Sequence, residues 1–406
     1  MEDKTCIIIG ASHAAAQLAP SLRQQGWQGK IILIGEEPHL PYHRPPLSKT
    51  FLSGEQDVES MLIRPAAVYE KFDIEVRLGM RVESIDRANK TVTLVNGECL
   101  EYSKLAFCTG ARPRQVDLPG VDLKGIYYLR NIADVERIKS RVIAGNRAVI
   151  VGGGYIGLET AAMLSSQGMK VTVVEMAPRV LARVTAPELS AFYRRLHREE
   201  GVSIKTMASV TGFQGREGHV KQVLCADGEE LPADLVIIGI GVVPNVELAE
   251  AAGLVVDNGI VVDQFAQTSD PDIVAAGDVT HHPNLIYSHS LRLESVPNAT
   301  EQAKSAAASL CGKTLVYNAL PWFWSDQYKV KLQIAGLSQG HDQVVIRGDH
   351  KTSRSFAVFY LREGKLICAD CINRPQEFMI SKRLIAQGQS VDPQRLADEA
   401  IVPRDF

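Results

Sequence analysis

No apolar run in this chain approaches the roughly twenty residues that a helix needs to cross a bilayer, and no Lys/Arg-flanked apolar stretch sits at its start. A membrane partner is therefore not expected, and the cytoplasm is the expected location. Neither charge is in excess. The 44 Lys and Arg stand against 47 Asp and Glu, a formal net charge of -3, which speaks against nucleic acid as a partner. Cysteine is sparse and odd in number, 7 in all, and falls mostly inside strand-like runs such as LAFCTGA. That distribution suits buried thiols in a reducing compartment and not a disulfide framework. The one Cys-x2-Cys pair, Cys368 and Cys371 in KLICADCI, reads as a strand whose two thiols point to opposite faces. A lone pair also falls short of a full tetrahedral ligand set for zinc. His281, His282 and His289 match no metal spacing, so no metal site is expected.

What remains is the composition of a multidomain α/β enzyme: 406 residues, 45% apolar and 22% charged, with 32 Gly and 19 Pro spread along the length. Two stretches of the same kind stand out, TCIIIGASHAAAQLA from Thr5 and RAVIVGGGYIGLETAAML from Arg147. Each opens with a continuous β-branched run, as a central parallel strand covered on both faces requires. A small-residue turn and a helix follow, the arrangement that brings a pyrophosphate against backbone amides at the positive end of the helix. The second copy holds Gly152, Gly154 and Gly157 at the G-x-G-x-x-G positions. The first keeps Gly10 and has Ser12 and Ala15 at the other two. Downstream, KIILIGEE is expected to end a strand at Glu36 and KVTVVEMAPRVL at Glu175, each carboxylate placed to accept ribose hydroxyls. Glu175 would repel a 2′-phosphate, which favours NADH over NADPH, although Arg179 and Arg183 close behind could serve a phosphate.

The repetition extends further. LVNGECLEYSKLAFCTGARPR and VLCADGEELPADLVIIGIGVVPN share strand, Asn/Asp-Gly hairpin, strand, polar link and an apolar strand ending in Gly. From about Leu320 the pattern changes. VKLQIAG, QVVIRG, SFAVFYLRE and KLICADCIN read as antiparallel strands, and RPQEFMISKRLIAQGQ reads as a helix. The expected fold is α/β, with two Rossmann-like dinucleotide-binding domains and an α+β C-terminal domain.

With PPLSK, TSDPDIVAAGDV, ESVPNATEQAK, PWFWSDQY and NRPQEF in this order, the chain resembles the flavin-dependent ferredoxin reductases of the glutathione-reductase-like superfamily, in the branch that feeds monooxygenases and aromatic-ring dioxygenases. That resemblance implies a discontinuous FAD domain (1–112 and 242–319), an NADH domain (113–241) and a C-terminal domain (320–406). It places FAD on Gly10, Ser12, Ala14, Ala15 and Glu36, then on Lys49, Val82, Thr109, Gly110 and Arg130. Further FAD contacts are implied at Gly277, Asp278, Glu294, Val296 and Trp324. NADH falls to Gly152, Gly154, Tyr155, Ile156, Gly157, Glu159, Glu175, Arg183 and Gly241. The same resemblance pairs Lys49 with Glu159, on the first turn of its helix, beside the nicotinamide, sets Trp324 near the flavin, and leaves Trp322 as core.

Disulfide reductases of this superfamily carry a Cys-x4-Cys pair facing the flavin, where this chain reads PYHRPPLSK. A thiol-exchange mechanism has no nucleophile there, so electrons must leave the flavin directly. The resemblance implies a two-iron, two-sulfur ferredoxin as acceptor, with Arg64, Lys304 and Arg292 as docking cations and a monomer or weak dimer in solution. Rubredoxin reductases, NADH:quinone-type flavoproteins and FAD-binding regulatory proteins are the alternatives on the same plan. The last two would call for an anchor, long insertions or targeting segments, which the chain is read to lack.

Overall fold

In the computed structural model, which describes residues 4–406, the chain forms two compact units. One gathers the chain up to His43 with Val58–Arg112 and Val243–Pro321, and the other gathers Arg44–Asp57, Pro113–Val242 and Trp322–Phe406.

The first unit is built on a five-stranded parallel sheet, ordered Glu75–Arg77, Lys30–Ile34, Thr5–Ile9, Lys104–Phe107 and Ile273–Ala275. The apolar runs make these strands because both sheet faces are covered: Cys6 to Ile9 and Ile31 to Ile34 are all buried. On one face the helices His13–Gln25 and Val296–Leu310 bury a common row of small side chains that includes Ala15, Ala19, Ala303 and Ala307. The Asn-Gly signal becomes a hairpin between Thr91–Leu94 and Cys99–Glu101, with Gly97 at φ 84°.

The second unit repeats the plan. Its parallel sheet runs Ser203–Thr206, Lys170–Glu175, Arg147–Val151, Leu235–Ile238 and Ile126–Tyr128. The Asp-Gly hairpin joins His219–Cys225 to Glu230–Pro232. The fifth strand differs in origin. In the first sheet it comes from far downstream, and in the second it precedes the other four along the chain.

Also in this unit, an antiparallel sheet runs Trp322–Gln327, Val330–Gly336, Lys365–Ile372, Phe356–Arg362 and Gln343–Arg347, with the helix Pro375–Gln387 packed against it. Cys368 and Cys371 lie in the strand Lys365–Ile372, both buried and unbonded. Trp322 departs from its expected core role. It is only partly buried, stacked on Trp324 and Phe378 with the Lys382 ammonium 5.0 Å over its ring. Among the described residues no helix is long and apolar enough to cross a membrane.

Close approach sets the glycine requirement at the second turn. A Cβ on Gly157 would lie 2.2 Å from the Gly152 carbonyl oxygen, whereas Ala15 holds the matching place in the first turn with its methyl fully buried. Gly157→Ala should therefore destabilise the second unit by about 1–3 kcal/mol through overpacking. Ala15→Gly should cost only about 1 kcal/mol of helix propensity plus its buried methyl. Thermal unfolding of the two variants checks the difference, and an unshifted melt for Gly157→Ala would contradict it.

Candidate active site

The two nucleotide turns are built alike. Gly10 N–H donates to the Ile34 carbonyl and Gly152 N–H to that of Val174, both at 2.8 Å. Both glycines hold left-handed backbone, φ 104° and 112°. A Cβ at either would strike the carbonyl of the neighbouring strand's exit, 2.2 Å from Cys108 O or 2.3 Å from Gly239 O. The helices that follow, His13–Gln25 and Tyr155–Ser166, have no side-chain cap at Ser12 or Gly154 and no acid in the first turn. The helix Ile132–Lys139, by contrast, is closed by an Asn131/Asp134 capping box. Two uncapped helix ends behind backbone too tight for a Cβ suit the pyrophosphates of two dinucleotides.

In the first unit the strand Lys30–Ile34 ends two residues before Glu36, which is exposed. Ala14 and Ala299 crowd Gly277, whose N–H donates to Gln302 Oε1 at 2.9 Å. Val82 is buried. Thr109 and Gly110 are tied to Asn245: Thr109 Oγ1 donates to the Asn245 carbonyl and Asn245 Nδ2 to the Thr109 carbonyl, both at 2.8 Å. Asp278 is half-buried beside Arg292, whose Nη1 approaches the Asp278 carbonyl at 3.5 Å. Val296 opens its helix, capped by Ser295. Arg292 is mostly covered, its side chain 13% exposed and paired with Glu294 at 2.7 Å. Arg64 is part-buried, with Nε donating to the Ala16 carbonyl at 3.0 Å. Lys304 stays half-exposed, paired with Glu301.

In the second unit Glu175 ends its strand as expected. Its carboxylate already accepts the N–H groups of Gly153 at 2.6 Å and Ala177 at 2.7 Å. A carboxylate can accept about four hydrogen bonds, so capacity is left for ribose hydroxyls while the turn is held in place. Arg183 is exposed near Gly241, and Ile156 is exposed at the turn. Arg130 lies two residues beyond the strand Ile126–Tyr128, its carbonyl accepting Arg44 Nη1 at 2.7 Å.

Glu159 lies on the second turn of its helix, not the first as expected, and is 6% exposed. Three donors converge on it. Lys49 Nζ and Ser48 Oγ reach Oε2, and Ser325 Oγ reaches Oε1, each at 2.7 Å. Behind Ser325 the polar chain continues through Gln327 at 3.2 Å to His197 at 2.8 Å, whose protonation burial opposes. Ser48 and Ser325 escaped the sequence reading. Strand alternation held the signal: in Trp322–Gln327 the indoles share one face, while Phe323, Ser325 and Gln327 share the other. The Phe323 ring meets Tyr155 at 4.9 Å. Trp324 is half-buried against Trp322.

A second buried carboxyl, Asp370, lies in the strand Lys365–Ile372. It accepts the Tyr360 hydroxyl at 2.6 Å, and Tyr155, Tyr193 and Cys368 lie within its electrostatic reach. Burial pushes the Asp370 carboxyl up to about 7.

The arrangement has known counterparts. Residues 4–303 match the pyridine nucleotide-disulphide oxidoreductase family and residues 322–405 the reductase C-terminal family. Putidaredoxin reductase CamA of Pseudomonas putida is 46% identical over 400 residues, covering 97% of this chain and 94% of that protein. The ferredoxin--NAD(+) reductase component of the anthranilate 1,2-dioxygenase system of Burkholderia cepacia is 40% identical over 402 residues, covering 98% of each. Among solved structures, the covalent putidaredoxin reductase-putidaredoxin complex contains a chain that superposes with a TM-score of 0.96 at 45% identity, covering 99% of this chain and 98% of that one.

Asp370 carries a stability signature. Its folded pKa lies above the usual 3.8 at about 7, so the folded protein keeps a proton that the unfolded chain releases. The stabilising contribution is full below pH 3.8 and is lost as pH rises through 7. Asp370→Asn should remove that loss, so the variant gains in melting temperature over the parent between pH 5 and about 8. Parallel melting curves against pH for the two proteins would refute the assignment.

Proposed function

Because the chain belongs to the pyridine nucleotide-disulphide oxidoreductase family, we infer that it is an FAD-dependent NADH:ferredoxin oxidoreductase feeding an oxygenase. The observation that carries this is what stands at the flavin-facing segment, PYHRPPLSK, where a thiol-exchanging relative needs cysteines. Ser48 and Lys49 are there instead, joined to Glu159. Four of the seven thiols are also unsuited to that chemistry. Cys6, Cys108, Cys368 and Cys371 are fully buried, and burial raises each thiol, that of Cys108 to about 12, far from the thiolate such chemistry requires. When bound, FAD accepts a hydride from NADH and releases electrons one at a time.

The protein's part is binding and orientation. In this reading the FAD domain is 1–112 with 242–319, the NADH domain is 113–241, and 320–406 is the C-terminal domain. The two uncapped helix ends hold the pyrophosphates. Glu36 and Glu175 hold the adenosine riboses, and Glu175 disfavours a 2′-phosphate. Lys49 and Glu159 fix the nicotinamide carboxamide, with Ser48 and Ser325 fixing Glu159 in turn. No proton need move on either residue, since hydride transfer requires alignment and not an acid. We place the protein in the cytoplasm as a monomer or weak dimer. Lys304 is our first candidate for steering an acidic two-iron ferredoxin. Arg64 and Arg292 follow, since both spend part of their guanidinium on neighbours.

Stepwise NADH addition to the purified yellow protein tests the core of this reading. NADH should bleach the flavin at least roughly tenfold faster than NADPH, and Glu175→Gln should narrow that ratio. Glu159→Gln should slow hydride transfer on the order of a hundredfold by loosening alignment, with FAD retained. A protein without flavin, or one that NADPH reduces better, would overturn the assignment. Lys304→Glu should slow ferredoxin reduction by roughly two- to tenfold at low salt, with NADH-ferricyanide turnover unchanged. Reduction of rubredoxin with no two-iron ferredoxin accepted would redirect the function to that partner.

A further inference from the structure

Beside the segment that follows Glu175 lies a cleft of about 410 Å3 lined by Arg179, Arg194, Arg195 and Arg198, with Ser190 and Thr206 among its other walls and no Asp or Glu. Thr206 stands opposite Glu175 in the parallel register. The cleft thus reaches the carboxyl end of the strand Ser203–Thr206, on the edge where open α/β sheets bind ligands.

Its charge is poorly matched by protein. Arg179 donates to the Ala182 carbonyl at 2.9 Å, the Thr185 carbonyl at 2.8 Å and Ser190 Oγ at 2.7 Å, all neutral acceptors. Arg195 pairs with Glu199 at 2.9 Å, and Glu199 is shared with Arg354. Arg194 and Arg198, one turn apart on the helix Pro187–Glu199, are exposed and have no ion-pair partner among the described residues. Arg195 is further occupied by the Thr352 and Ser353 carbonyls, which leaves three guanidinium groups without a carboxylate, and these repel one another unless an anion sits among them. Their planar forks match the oxygens of a phosphate group. With a chain charge of -3, the cleft is a local feature and not part of a general basic surface. Its volume falls in the range of small-molecule sites, roughly 300–1,000 Å3.

We propose that this cleft is a binding site for a phosphate-bearing small molecule, gripped by Arg194 and Arg198 with Arg179 fixed behind them. The phosphate has two possible sources: a 2′-phosphate carried by a dinucleotide seated at Glu175, or a free phosphorylated metabolite. The site stands on the arginines themselves and does not depend on the ferredoxin reading.

Calorimetric titration of the FAD-loaded protein with inorganic pyrophosphate, at fixed ionic strength and with saturating NAD+ filling the second nucleotide turn, tests it. The parent should bind with a dissociation constant of about 1 mM or tighter. The double variant Arg194→Ala/Arg198→Ala should bind at least roughly tenfold more weakly, with NADH affinity and melting temperature unchanged. Arg194→Lys/Arg198→Lys should fall between, keeping charge without the fork. If NADPH given in place of NAD+ displaces pyrophosphate and the Ala variant loses NADPH affinity alone, the phosphate arrives on the dinucleotide. If NADPH leaves pyrophosphate bound, it arrives free. Equal pyrophosphate binding in parent and Ala variant, or none in the parent, overturns the proposal. So does a variant that slows ferredoxin reduction without changing pyrophosphate binding, because the arginines would then serve a protein surface.

Discussion

The Glu159 carboxylate is the group around which the second unit is organised. Burying a charge costs several kcal/mol unless it is paired and fully hydrogen-bonded, and Glu159 meets that demand with three donors from two distant stretches, at 48–49 and at 325. Each partner must arrive at a fixed place, which constrains the backbone that delivers it. The short 310 turn Pro45–Ser48 presents Ser48 and then Lys49. The strand Trp322–Gln327 must turn Ser325 inward, and alternation then sends both indoles to the opposite face. One buried charge therefore decides, through Ser325, where the two indoles of the same strand point.

The two nucleotide folds show how one plan tolerates different chemistry at matching positions. Glycine is indispensable where backbone meets backbone, at Gly10 and Gly152. At the third position of the turn the first fold accepts Ala15, while the second brings Gly157 against its own turn. The carboxylates diverge as well. Glu175 is drawn back onto the amides of Gly153 and Ala177, whereas Glu36 stands exposed beyond its strand.

The periodicity of apolar runs and the turn residues were enough to read the three inner strands of each parallel sheet, both hairpins and four of the five C-terminal strands, because those signals are local. Lys49 and Glu159 came instead from the family resemblance, through the motifs that hold them. Ser48 and Asn245 were not legible, since such a residue has no pattern of its own until the fold brings its partner near, and Ser325 could have been found only through strand alternation. Trp322 misled because large aromatic area usually ends in a core, and here it is shared with a strand face and a lysine ammonium. The docking arginines were read as free charge, yet Arg64 fastens to the Ala16 carbonyl and Arg292 to Glu294. Only coordinates distinguish a solvated cation from one already employed.

The origin of the fifth strand has a consequence for synthesis on the ribosome. The sheet of the second nucleotide fold has all its strands once Ile238 has emerged, since its outermost strand, Ile126–Tyr128, comes first. The earlier fold must wait for Ile273–Ala275. A growing chain thus carries an open sheet edge at Lys104–Phe107 while the later sheet closes beside it in time, so the half of the protein translated first is the last of the two to be sealed.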